Sequence, residues 1–186
     1  MLGEERCRKY LVPEDVEAIS DIAVSGRNPE EVAVDIYRPA SLPKESMPVI
    51  VFVHGGGLFT GDRRFNRPFA TKMAREGFLV YICDYRLIDK ADAFGMISDM
   101  NAVYGPVKET ASGYGGDMER VFVIGESAGA FLAEYSVAAE KSGLLREMYG
   151  ITPSGINIRG VVFFSGMFYT TRIDLVGLVY SKDLYG

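Results

Sequence analysis

The chain has 186 residues, which is enough for one domain with a sizeable hydrophobic core. Hydrophobic residues make up 48% of it and charged residues 24%, a balance that is ordinary for a globular protein and argues against disorder. Because the net charge is −5 and no basic cluster stands out, the composition favours neither a nucleic acid nor an anionic membrane as a partner.

The N-terminal segment is interrupted by charges from Glu4 onward, so it contains no apolar signal sequence. No window of the sequence has the length and apolar character of a membrane-spanning helix. The two cysteines, Cys7 and Cys83, lack the spacing of metal ligands or redox pairs, and Cys83 ends an apolar run as a buried thiol would. We therefore expect a cytoplasmic protein without a zinc site or a disulfide framework.

The strands predicted along the chain are mostly continuous apolar runs. Residues 31–37 alternate apolar and polar side chains, which is typical of a half-buried strand. Four later runs rich in β-branched or aromatic residues predict strands buried on both faces, at residues 49–53, 78–83, 121–124 and 161–164.

The helices are predicted between these strands. A short helix is expected at residues 14–22, within a possible N-terminal helical or cap segment over residues 1–25. Further helices are expected at residues 66–76, 92–110 and 128–142, the second with interruptions at Gly95 and at Gly105-Pro106.

This alternation of strands and helices predicts one α/β domain over residues 1–186, with a mostly parallel sheet covered by helices on both faces. In such sheets, ligands bind beyond the carboxyl ends of the strands. Both glycine-rich segments of the sequence follow predicted strands directly, so both are expected at that edge.

The first of these segments contains the pattern G-x-S-x-G at Gly125-Glu126-Ser127-Ala128-Gly129. A buried strand precedes it and a helix follows, and in this context a tight turn exposes the serine Oγ as a nucleophile. The alternative is a glycine-rich turn with an incidental serine. The position directly after the apolar run 121–124 favours the nucleophile.

The second segment is His54-Gly55-Gly56-Gly57, which follows the strand at 49–53. Glycines leave backbone N–H groups unscreened, and such donors can stabilise an oxyanion. A phosphate-binding loop is the main alternative, because Gly56 and Gly61 match part of its pattern. Asp62-Arg63 stands where that pattern needs Lys followed by Ser or Thr, and an aspartate would repel phosphate. A dinucleotide fingerprint fails as well, since Thr60 occupies the place of its third glycine.

Taken together, HGGG at 54–57, DYRL at 84–87 and GESAG at 125–129 resemble the α/β-hydrolase esterases of the hormone-sensitive-lipase and carboxylesterase type. The resemblance covers roughly residues 30–170. It implies an α/β-hydrolase fold, a small-molecule ester as substrate and no metal or organic cofactor.

The same resemblance implies roles for individual residues. Ser127 would be the catalytic nucleophile, and the backbone N–H groups of Gly56, Gly57 and Ala128 would form the oxyanion hole. The residues implied to support their geometry are His54, Gly55, Gly125, Glu126 and Gly129.

The triad acid and histidine of that family have no convincing counterpart in this sequence. The single histidine is His54, which precedes the serine instead of following it and is expected to hold the shape of its loop. Asp84 is expected to pair with an arginine. Three acids after Ser127 lie on the following helix or its exit: Glu134, Glu140 and Glu147. Asp174 and Asp183 follow the strand at 161–164 too closely, because the acid of that family comes one strand later. We therefore expect a fold truncated after about the sixth strand, as in a fragment of a longer protein.

Two other functions remain open from the residues alone. The chain could be a non-catalytic homologue that binds small acyl compounds or a protein partner, or a hydrolase of amides or formamides. If the strand at 161–164 lies at an open edge of the sheet, its unpaired backbone predicts association into a homodimer through that edge.

Overall fold

The structure is a computed structural model that describes residues 9–166. Its six strands are β1 (Val16–Ala23), β2 (Ala33–Pro39), β3 (Met47–Val53), β4 (Leu79–Cys83), β5 (Gly116–Glu126) and β6 (Ile158–Phe164). Its α-helices are α1 (Arg67–Arg75), α2 (Ala93–Thr110), α3 (Ala128–Lys141) and α4 (Gly143–Tyr149). Short 3₁₀ helices occupy Arg63–Asn66 and Ser112–Tyr114. No helix within residues 9–166 combines the length and the apolar character needed to cross a membrane.

The strands form one sheet in the order β1-β2-β4-β3-β5-β6. Strands β4, β3, β5 and β6 pair in parallel, whereas β2 is antiparallel to both of its neighbours. The prediction of a mostly parallel sheet is thus confirmed. In the register of the sheet, Val53 of β3 lies opposite both Cys83 of β4 and Gly125 of β5. The carboxyl ends of these three strands therefore meet at one edge.

Helices cover both faces of the sheet, also as predicted. Along β3, Val49, Val51 and Val53 pack with α2 and α3, whereas Ile50 and Phe52 pack with α1 on the other face. A run without polar residues is required here because successive side chains of a strand point to opposite faces and both faces are buried.

The prediction of a helix at residues 14–22 is wrong, because this segment forms strand β1. It pairs with β2 in an antiparallel ladder that runs from Val16 opposite Pro39 to Ala23 opposite Ala33. The ladder breaks its register between Ile19 and Ile22, and Asp21 in this bulge has a φ of 60°. Pairing with an available strand thus overrides the local helix propensity of the segment.

Residues 31–37 were predicted as a half-buried strand; the strand is present as β2, but its half-buried character is wrong. Strand β2 lies between β1 and β4, and Ala33 to Tyr37 are all buried. The polar side chain of Asp35 does not face water, but accepts a hydrogen bond from Arg63 Nε at 2.8 Å. An ionic partner makes the burial of this carboxylate tolerable.

Two helical details differ from expectation. Helix α2 is continuous from Ala93 to Thr110, with Pro106 inside it instead of an interruption. Thr110 Oγ1 donates a hydrogen bond to the Pro106 carbonyl at 2.7 Å near the end of this helix. Helix α4 is an additional element that the sequence analysis does not predict.

Candidate active site

Ser127 lies at the sharp turn between β5 and α3. Its backbone angles are φ 52° and ψ −116°, a conformation that a residue other than glycine rarely adopts. The Ser127 N–H donates to the Phe164 carbonyl of β6 at 2.7 Å, and the Ser127 carbonyl accepts from the Ala130 N–H at 3.1 Å. The predicted tight turn at Ser127 is therefore confirmed, and its φ is positive.

The HGGG segment lies directly beside this turn. We call residues 54–62 the glycine loop. A Cβ placed on Gly55 would lie 3.1 Å from Ser127 Cβ, and one placed on Gly129 would lie 2.4 Å from the carbonyl oxygens of Val53 and His54. Only glycine permits the second approach, because real Cβ atoms do not come so close to backbone oxygen. The predicted proximity of residues 54 and 127 is present in the fold.

The glycine loop contains a tight turn that leaves donors free. The carbonyl of Gly56 accepts from the Thr60 N–H at 3.1 Å, and Gly56 has a φ of 120°, which requires glycine. Within residues 9–166, the N–H groups of Gly56 and Gly57 make no hydrogen bond. The N–H of Ala128, in the first turn of α3, makes none either. These are the three donors that the sequence analysis selects.

His54 is held inside the loop. Its ring is 2% exposed and stacks on the Tyr85 ring with centroids 4.3 Å apart. Its Nδ1–H donates to the Gly55 carbonyl at 2.7 Å, and its own carbonyl accepts from Tyr85 Oη at 3.1 Å. Burial lowers the pKa of the ring below its usual value, so the imidazole is neutral at pH 7. These contacts support the loop-shaping role predicted for this histidine.

A cleft of about 270 Å³ opens over Ser127 between the glycine loop and the turn. Beyond residues of the two motifs, it is lined by Thr60, Gly61, Phe65 and Asn66. The side chain of Glu126 is exposed at its rim. Phe65 and Asn66 belong to the 3₁₀ helix that follows the glycine loop. No sequence pattern marks them, because their place beside Ser127 depends on how that helix packs.

The remaining acids of the sequence analysis lie elsewhere. Asp84 pairs with Arg63, as expected, and its Oδ1 also accepts from the Arg63 N–H at 2.7 Å. Glu140 accepts from Asn101 Nδ2 at 3.0 Å and from the Ser154 N–H at 3.0 Å, so it holds a distant loop. Glu134 is an exposed residue of α3. Asp174 and Asp183 lie outside the described residues.

Among residues 9–166, no group of three or more His, Cys, Asp and Glu side chains is arranged to hold a metal ion. The chemistry offered by the cleft is that of a hydroxyl group beside free backbone donors.

Comparison with known proteins connects this geometry to esterases. A family model described as BD-FAE matches residues 34–175, which is most of the chain. An Oryza sativa subsp. japonica protein described as a probable isoprenylcysteine alpha-carbonyl methylesterase is 34% identical over 100 residues, which cover 54% of this chain and 24% of that protein. A tuliposide A-converting enzyme of Tulipa gesneriana is 27% identical over 127 residues, which cover 61% of this chain and 34% of the enzyme.

Solved structures show the same fold. Esterase B from Lactobacillus rhamnosis superposes with a TM-score of 0.87 at 26% identity, covering 98% of this chain and 60% of that chain. A bacterial heroin esterase superposes with a TM-score of 0.68 at 25% identity, covering 89% of this chain and 49% of that chain. The chain thus has the predicted α/β-hydrolase fold. It spans about a quarter to a third of the length of the curated relatives it matches.

Proposed function

The chain belongs to the BD-FAE family, and from this membership we propose that it serves as the nucleophile-bearing part of a serine hydrolase that cleaves carboxylic esters of small molecules. Ser127 Oγ attacks the ester carbonyl and forms a tetrahedral intermediate. The N–H groups of Gly56, Gly57 and Ala128 stabilise its oxyanion. The intermediate collapses to an acyl-enzyme and an alcohol, and water then releases the acid.

One observation carries this proposal. A serine in a strained turn at the amino end of a helix lies against the glycine loop, in which the Gly56 and Gly57 N–H groups make no hydrogen bond within residues 9–166. Strain at a non-glycine residue persists where the surrounding structure enforces it, and functional sites are where it concentrates. Esterase relatives that share the fold support the same reaction class.

The proposal also requires a proton acceptor, because a serine hydroxyl is a weak nucleophile without one. His54 is the single histidine of the sequence, and it does not suit this role. Its Nδ1 is engaged with the Gly55 carbonyl and its ring is packed on Tyr85. The base that deprotonates Ser127 is therefore a group other than this histidine.

Hydrolysis of p-nitrophenyl butyrate by the full product of the gene tests the proposed function. We expect Ser127→Ala to lower kcat by at least about 10³-fold, because loss of a nucleophile removes the covalent route. Ser112→Ala is the matched control, since Ser112 is exposed in a 3₁₀ helix outside the cleft. Ester hydrolysis that survives in Ser127→Ala would exclude Ser127 as the nucleophile.

A further inference from the structure

The glycine loop is held at three points by one short segment, residues 84–88, which follows β4. Tyr85 Oη donates to the His54 carbonyl at 3.1 Å, where the loop begins. The Ile88 N–H donates to the Leu58 carbonyl at 3.0 Å, in its middle. The Asp84 carboxylate accepts from the Arg63 N–H at 2.7 Å, directly after its end. The DYRL motif and the residue that follows it therefore support this loop.

The contact at the end of the loop differs from the other two because it is ionic and buried. Arg63 is 7% exposed, and each nitrogen of its guanidinium bonds a different carboxylate. Nε donates to Asp35 Oδ1 of β2 at 2.8 Å, Nη1 to Asp84 after β4, and Nη2 to Asp21 in the bulge of β1. One side chain thus joins the end of the glycine loop to three strands of the sheet.

This geometry is specific to arginine. A guanidinium presents its donors in a planar fork, whereas the ammonium of lysine is a compact charge that cannot meet three carboxylates in the same directions. The loop that Arg63 terminates carries Gly56 and Gly57, whose N–H groups must keep fixed positions to stabilise an oxyanion without reorganisation.

We propose that Arg63 is a positioning residue for the oxyanion hole. Through the carboxylates of Asp21, Asp35 and Asp84 it fixes the end of the glycine loop, and so the directions of the Gly56 and Gly57 N–H groups over Ser127. The proposal rests on the function proposed above. Its test therefore has one arm that measures loop order and a second arm that measures catalysis.

The first arm uses this chain and needs no turnover. The heteronuclear ¹H–¹⁵N Overhauser effects of the Gly55, Gly56 and Gly57 amides report their order on the picosecond-to-nanosecond timescale. We expect them to match those of β3 in the wild type and to fall in Arg63→Lys, while the values for β3 stay unchanged. A role in global stability alone would leave the native-state order of the loop intact.

The matched control is Arg38→Lys. Arg38 pairs with Glu17 at 2.7 Å and donates to the Tyr114 carbonyl, so the substitution also removes an arginine fork between strands. Arg38 lies near the end of β2, which is antiparallel to β4, and so faces the sheet edge opposite the glycine loop. We expect Arg38→Lys to leave the order of Gly55, Gly56 and Gly57 unchanged.

The second arm measures ester hydrolysis by the full product of the gene. We expect Arg63→Lys to lower kcat by about 10²-fold, as for loss of one oxyanion donor, and to leave KM within about threefold of the wild type. Arg38→Lys should keep both constants. Wild-type kcat in Arg63→Lys, or loop amides as ordered as in the wild type, would overturn the proposal.

A further variant covers the case in which Arg63→Lys does not fold. Asp84→Asn keeps an oxygen that can accept from the Arg63 N–H but removes the charge that faces the guanidinium. Asp84→Asn should lower the order of the loop amides and kcat, as Arg63→Lys does but by a smaller factor. Unchanged loop order and kcat would overturn the proposal. If the wild-type gene product hydrolyses no ester, the function proposed above fails, while the loop amides still decide whether Arg63 positions them.

Discussion

Ser127 and His54 line the same cleft, but their surroundings give them different chemistry. Ser127 is partly exposed, and its backbone is held by β6 and α3. His54 is enclosed, and both its ring and its carbonyl are engaged with neighbours. Histidine serves as a base in many hydrolases, but the contacts of His54 hold it within the glycine loop.

The buried ring of His54 predicts acid sensitivity. Its pKa is lowered in the fold by burial, whereas an unfolded chain has a histidine pKa of about 6.5. Above about pH 6.5 the ring is neutral in both states and its stabilising contacts are fully present. As the pH falls below 6.5, the unfolded state binds the proton first, so the free energy of unfolding decreases until the folded pKa is reached.

Urea unfolding between pH 7.5 and 5 measures this effect. We expect the wild type to lose up to about 1.4 kcal/mol per pH unit relative to His54→Asn. Asparagine does not titrate in this range, and its amide can take the place of Nδ1–H toward the Gly55 carbonyl. Parallel pH profiles for the two proteins would show that His54 does not titrate on unfolding.

Among the elements, β1 and β6 are the two outer strands of the sheet formed by residues 9–166, and they differ in their regularity. Strand β1 is bent by a bulge at Asp21, whose N–H donates to Asp35 Oδ1 at 2.9 Å. Bulges redirect side chains at sheet edges, and this one brings a third carboxylate to Arg63. Strand β6 is regular after its first residues and, within residues 9–166, pairs only with β5.

Strand β6 predicts self-association of this 186-residue chain. Val162 and Phe164 are 42% and 48% exposed on it, and an exposed apolar strand with one paired edge is a template for another chain. We expect sedimentation velocity to show concentration-dependent dimers or larger species. Val162→Lys should weaken the association at least about tenfold, because a lysine blocks edge-to-edge pairing.

Leu144→Lys is the control for this experiment. Leu144 is 69% exposed on α4, so the substitution makes the same chemical change away from the β6 edge. It should leave the association unchanged. A wild-type chain that remains monomeric at high concentration would contradict the prediction.

At the scale of the whole molecule, the need of Ser127 for a proton acceptor sets the expected activity. We expect this 186-residue chain by itself to hydrolyse p-nitrophenyl acetate no faster than its Ser127→Ala variant, because its single histidine, His54, is engaged with the Gly55 carbonyl and Tyr85 and does not accept the proton of the hydroxyl. Slow hydrolysis of up to about 10³–10⁴-fold over water can remain, since an oxyanion hole acts without the triad.

The full product of the gene, assayed in parallel, should be active. Fast hydrolysis by the 186-residue chain that disappears in Ser127→Ala would contradict the prediction. In that case His54→Asn would show whether His54 serves as the base after all.

Those features of the fold that depend on neighbouring residues could be predicted from the amino-acid sequence. The strand runs at 49–53 and 78–83, the turn at Ser127 and the glycine loop were all predictable, because chain sterics and continuous apolar runs act over a few positions. Their meeting at one edge also followed, since parallel strands place their carboxyl ends together.

The contacts between distant polar residues, in contrast, depend on the assembled fold. Arg63 meets Asp21, Asp35 and Asp84, which are 42, 28 and 21 positions away, and no local pattern encodes these pairings. The same holds for residues 14–22, whose helix propensity lost to an antiparallel partner strand. Arg63, Asp35 and Asp84 need these pairings because an unpaired charge in the core is costly, and their burial is a property of the assembled fold.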